Sequence, residues 1–159
     1  LDSVKKEKES LETRLSQVSG ADGNNKLLTA VIKAANLYIS NDSTGAAEAI
    51  ADVDVSSLPV EEAKTLYNTI SGATMMNAAN DLYNRGMTAY NKADYTTAAD
   101  LLVRAYKCDK TKADAVFYAA KSYVALNQPD NAKKYYQIIA DEFKSSGYVT
   151  EAQAYVQSH

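Results

Sequence analysis

Four kinds of residue in this 159-residue chain could carry chemistry, and each sits where the chemistry is hard to perform. The single histidine, His159, is the last residue, so a catalytic triad, a histidine metal site or a histidine base inside a cleft is not expected. The single cysteine, Cys108, lies near a predicted helix C-terminus with Lys107 and Lys110 beside it. The lysines favour a thiolate and the helix end opposes it, so an inert small residue is the simpler reading. Glu61 and Glu62 form an adjacent carboxylate pair, but they follow Pro59 at a helix start, where acids complement the helix dipole. Tyrosine is the outlier, with 12 residues against 2 Phe and no Trp. Phenol rings at helical spacing fill a core while their hydroxyls reach water, and on an open face they anchor a partner. No glycine-rich phosphate loop or Glu-x-x-His pair is present. Neither metal, cofactor nor catalytic residue is expected, and the chain is read as a non-enzyme.

The elements that must position these residues are helices. Hydrophobic residues make up 46% and charged residues 23%, with only 6 Gly and 2 Pro, which favours long helices over a turn-rich β fold. A net charge of −3 argues against a nucleic-acid partner, which would need a basic stripe. No stretch approaches the roughly 20 apolar residues of a membrane span. The chain begins at Leu1, and we read it as a mature or excised piece of a longer protein.

Residues 1–18 carry a heptad rhythm, with Leu1, Lys8 and Leu15 on one seam position and Val4, Leu11 and Val18 on the other. The expectation is a coiled-coil-like stem that could join copies of the chain as a homo-oligomer; an amphipathic helix packing on its own domain fits the pattern equally. Ser19-Gly20-Ala21-Asp22-Gly23-Asn24-Asn25 reads as a flexible linker over 19–25. A helical domain then fills 26–159. Its helix from about Pro59 could run to Lys92, with a break near Ser71-Gly72 open as an alternative.

Two helix pairs repeat with a period of 34. Leu82 matches Val116, Gly86 matches Ala120, Ala98 matches Ala132, and Leu102 matches Tyr136. Small residues let the helices of a hairpin approach, and large ones fill the gap between adjacent pairs. The best repeats cover 79–112 and 113–146, and 147–157 reads as a capping helix. A weaker third match, with Ala34, Leu37, Ala46 and Ile50, lies 52 residues before the first repeat.

The period and these small and aromatic positions, Tyr95 and Tyr123 included, resemble the tetratricopeptide-repeat (TPR) family. Departures are Lys110 and Lys144 where the family closes each repeat with proline. Asp81-Leu82-Tyr83-Asn84-Arg85-Gly86, Ala89-Tyr90-Asn91-Lys92-Ala93-Asp94-Tyr95 and Tyr135-Tyr136-Gln137-Ile138-Ile139-Ala140-Asp141-Glu142-Phe143 are similar to the carboxy-terminal part of bacterial membrane-anchored TPR proteins. The resemblance implies an all-α fold of antiparallel helix pairs stacked as a short right-handed solenoid, preceded by the amphipathic helix. It further implies a scaffold or adaptor tethered at the bacterial envelope, binding a protein or peptide in a concave groove. Carried over position by position, that groove comprises Tyr83, Asn84, Met87, Tyr90, Phe117, Tyr118 and Lys121. Tyr83, Met87 and Tyr118 replace the Lys, Asn and Arg clamp with which some TPR domains hold chaperone tails, so such tails are not the expected ligand. The alternative function is a structural protein that self-associates through its stem.

Overall fold

A computed structural model describes residues 1–17 and 22–159. The described residues form eight α-helices and one 3-10 turn, with no strand: α1 (Asp2–Gln17), α2 (Asp22–Ile39), α3 (Ser43–Ile50), the turn Val55–Ser57, α4 (Glu61–Asn91), α5 (Tyr95–Cys108), α6 (Ala113–Ala125), α7 (Pro129–Glu142) and α8 (Val149–Ser158). The chain divides into two compact units, Leu1–Ala78 and Ala79–His159, with α4 contributing to each. This boundary falls inside a helix rather than at the linker expected over 19–25. That linker lies partly outside the described residues, and Asp22 already opens α2. α4 is helical throughout, Gly72 included, and starts two residues after Pro59, with Glu61 and Glu62 in its first turn.

In the first unit α1 packs on α2. Val4 and Leu11, from one of the two heptad seam positions, are 1% and 0% exposed in one core with Val31, Ile50, Leu66 and Ile70. Val4 and Leu11 are therefore covered by the chain itself and Leu15 is partly buried against the same core, whereas Leu1 is 63% exposed and Val18 lies outside the described residues. The competing reading, an amphipathic helix on its own domain, describes this arrangement. Arg14 on α1 also meets Glu62 on α4 at 2.8 Å, but both side chains are nearly half exposed, so the pair adds little.

In the second unit the consecutive helices pack one on the next: α5 on α6, α6 on α7 and α7 on α8. The small positions read from the repeat lie at the close approaches. Ala98, Ala120 and Ala132 are all 0% exposed. A Cβ on Gly86 would stand 2.8 Å from Leu102 Cγ and 3.3 Å from Leu101 Cβ, so α4 and α5 touch there with no room for a side chain.

The chain reverses between helices three times by one device. Asn41, Ala93 and Asn127 adopt positive φ, at 67°, 60° and 54°. At each, the following N–H reaches back five residues: Asp42 to the Leu37 carbonyl, Asp94 to that of Ala89, and Gln128 to that of Tyr123, at 2.9–3.0 Å. The positive-φ residue itself bonds back three, to Tyr38, Tyr90 and Val124. This is the Schellman termination, in which a left-handed residue satisfies carbonyls that the helix leaves open. Asp42 and Asp94 then cap the next helix by accepting from the Gly45 and Thr97 N–H groups. The turns at Ala93 and Asn127 lie 34 residues apart, and those at Asn41 and Ala93 lie 52 apart. The backbone thus repeats with the same offsets as the side-chain pattern.

Candidate functional site

Tyr83, Met87 and Tyr90 occupy positions i, i+4 and i+7 of α4, one side of a helix with 3.6 residues per turn. All three are half-buried, while Asn84, about 100° further round, is exposed. On α6, Phe117, Tyr118 and Lys121 form the facing set. The structure brings most of the two sets together. Tyr90 meets Tyr118 edge-on, with centroids 5.1 Å apart, and meets Tyr95 in the same way at 5.5 Å. Tyr118 is edge-on to Phe117 at 5.5 Å. Edge-to-face pairs of this spacing place the positive rim of one ring on the negative face of the next.

Phe117 does not present its ring. It is 6% exposed, and Tyr148 at the start of α8 stacks over it at 4.1 Å with the planes 14° apart. Tyr136 from α7 approaches its edge at 6.1 Å. Lys121 is likewise engaged within the chain, with its Nζ 5.2 Å from the Phe117 ring centroid and 3.5 Å from Glu151 Oε1. The same Glu151 oxygen accepts the Tyr136 hydroxyl at 3.1 Å. Phe117 and Lys121 therefore support the face from beneath and at its edge. The rings left half open are Tyr83, Tyr90 and Tyr118.

Asp114 is the electrostatic centre of this face. Its Oδ1 accepts the Tyr148 hydroxyl at 2.6 Å. That hydrogen bond, followed by burial, holds the Tyr148 phenol protonated well above the usual tyrosine range. Burial first, and then the Asp114 charge, also raises Tyr83. The Lys112 ammonium lies 5.4 Å from the Tyr83 ring centroid. Tyr136 is raised by burial and next by Glu151. Tyr83, Tyr136 and Tyr148 are thus all shifted toward the neutral phenol, which donates a hydrogen bond.

Tyr148, Glu151, Tyr155 and Lys112 were not among the residues carried over from the repeat. Within the expected capping helix over 147–157, Tyr148, Ala152 and Tyr155 fall on one stripe of α8 and its start; Ala152 is 0% exposed and the two tyrosines are half-buried. The residues with reactive side chains lie apart from this face. His159 stacks on Tyr155 at 4.2 Å, Cys108 is buried at the end of α5, Glu61 pairs with Lys64 at 3.3 Å, and Glu62 with Arg14. Among the described residues no three His, Cys, Asp or Glu side chains cluster as a metal site would need, and no helix is long and apolar enough to cross a membrane.

No protein-family model, curated protein or solved structure matches this chain.

Proposed function

We propose that the chain is a protein-interaction module, a scaffold or adaptor rather than an enzyme. On this reading α4–α5 and α6–α7 are TPR-like hairpins of a short right-handed solenoid and α8 is their cap. The Tyr83, Met87, Tyr90 and Tyr118 face receives a peptide or protein element. The observation that carries the reading is the identical Schellman turn at Ala93 and Asn127, 34 residues apart, with buried small residues at matching places on either side. Half-open tyrosines beside Met87 suit an adaptable contact, since aromatic anchors supply a large share of interface energy. Tethering at a bacterial envelope is part of the same proposal and rests on the sequence resemblance.

A photo-crosslinking residue at position 87, compared with one at position 88 on the turned-away side of α4, tests the face in the source organism. The reading expects one discrete adduct from position 87, lost when Tyr83 and Tyr118 are both changed to Ala while the melting temperature holds. Equal adducts from both positions, or an adduct that survives the double substitution, would overturn it.

A further inference from the structure

A second, chemically different cleft lies between the last two turns of α5 and the middle of α7. Val103 and Ile138 make its apolar sides, and Tyr106 and Tyr135, 8% and 9% exposed, make its floor. Lys107, Lys110 and Lys134 stand around it. The chain as a whole is negative, with a net charge of −3, so three ammonium groups around one small cleft are a local reversal of sign. Two of them are held by the floor itself: Lys110 Nζ lies 4.4 Å from the Tyr106 ring centroid and Lys134 Nζ 5.5 Å from that of Tyr135. A cation resting on a ring face is positioned without being neutralised, so it stays available to an anion. The neighbouring acid, Glu142, has its Oε2 occupied by the Tyr106 hydroxyl at 2.9 Å.

Size decides what could enter. The cleft holds about 180 Å³, below the roughly 300 Å³ at which sites for whole small molecules begin. It has room for one side chain. An apolar pocket for a single side chain, ringed by cations, matches a polypeptide with an apolar residue among acidic ones. We propose that this cleft docks such an acidic segment of a partner protein, with its apolar side chain between Tyr106 and Tyr135 and its carboxylates against Lys110 and Lys134. The site uses α5 and α7, whereas the tyrosine face uses α4 and α6, so the two stand or fall separately.

The test is a titration of the full ¹⁵N-labelled chain, followed by amide chemical shifts, with a synthetic peptide Asp-Glu-Leu-Glu-Asp. The controls are its amide counterpart Asn-Gln-Leu-Gln-Asn, inorganic phosphate alone, and phosphatidylserine vesicles. Saturable shifts at Val103, Lys110, Tyr135 and Ile138 are expected with the acidic peptide. They should weaken on the order of tenfold with the amide peptide and with Lys110→Glu plus Lys134→Glu, and weaken again as salt is raised. Both lysines are exposed, so the double variant should keep its helix content and melting temperature; Lys110→Met plus Lys134→Met repeats the test without charge reversal. Equal response to the two peptides, undiminished binding by both double variants, or the same shifts from phosphate or vesicles alone would overturn the proposal.

Discussion

Ala93 offers the sharpest test of the backbone repeat, because it occupies a conformation that its side chain opposes. Its φ of 60° places it in the left-handed region, where Asn41 and Asn127 fill the equivalent turns. A Cβ in that region crowds the adjacent carbonyl at a cost of roughly 1–2 kcal/mol, which asparagine partly offsets by local hydrogen bonding and glycine avoids. Ala93→Gly removes the clash but adds about 0.4–1 kcal/mol of conformational freedom to the unfolded chain. The net expectation is a gain of about 0.8 kcal/mol, or a rise of about 3–6 °C in the melting temperature of a unit of this size. Tyr38 and Tyr67 are the only tyrosines of the first unit, so tyrosine fluorescence during urea or thermal unfolding reports chiefly on the second. Ala93→Val should move the midpoint the other way, since a β-branched residue is least tolerant of positive φ. Asn127→Gly should change it by a few tenths of a kcal/mol at most. If Ala93→Gly instead destabilises by about 1 kcal/mol, as glycine does inside a helix, residue 93 is helical. The shared-turn argument then fails.

Gly86→Ala should destabilise the second unit even though alanine is the better helix former. The new Cβ would lie 2.8 Å from Leu102 Cγ, and overpacking of about 1–3 kcal/mol outweighs a propensity gain of about 1 kcal/mol; an unchanged urea midpoint would count against the close approach. Leu11→Ala, at a 0% exposed site, should cost about 2–5 kcal/mol in unfolding of the first unit, without changing the molar mass by light scattering; a drop in mass would make the heptad seam an intermolecular one. Burial first, and then the hydrogen bond to Glu142, push the Tyr106 hydroxyl up to about 12 from 10.0. A raised folded-state value means that its contribution is intact below pH 10 and is lost as pH climbs from about 10 toward about 12. Circular dichroism against pH should show a shallower alkaline loss in Tyr106→Phe, and an identical slope would remove the link. Asp94 is shifted the other way by its bonds to Thr97, so its capping contribution holds above the ordinary carboxylate range and fades as pH falls through it; Asp94→Asn should flatten that acid limb.

The side-chain half of the repeat was legible in sequence because burial and size are properties of residue type. An alanine at 98 and at 132, each 34 residues from the other, carries its packing role in its volume. The turn half was hidden because its three left-handed positions are Asn, Ala and Asn, and alanine ordinarily reads as helix. Only the carbonyl-to-amide bonds from Ala89 and Tyr90 show that the chain has stopped turning there. The first helix was ambiguous for a related reason. An apolar seam encodes that Val4 and Leu11 need cover, and not whether the cover comes from α2 or from another chain.

Phe117 shows where position within a repeat stops being informative about a face. Its place on α6 is the same whether its ring looks out on a partner or in on another helix, because the helix fixes only a direction. What lies in that direction is Tyr148, which follows the last residue of the second repeat, 113–146, and so has no counterpart in the 34-residue pattern. The stack of Tyr148 on Phe117 takes one of the seven expected contact residues into the chain's own packing, while Lys121 stays partly exposed beside Glu151 at 3.5 Å. The open surface accordingly moves toward α4, where Tyr83 and Tyr90 flank Met87. α8 then does two things at once: it packs on α7, and through Glu151 it holds the phenol hydroxyl of Tyr136, while Asp114 on α6 holds that of Tyr148 at its start. A partner seated on the remaining tyrosines would meet a floor already held rigid from behind, so the side-chain ordering it must impose on binding is smaller.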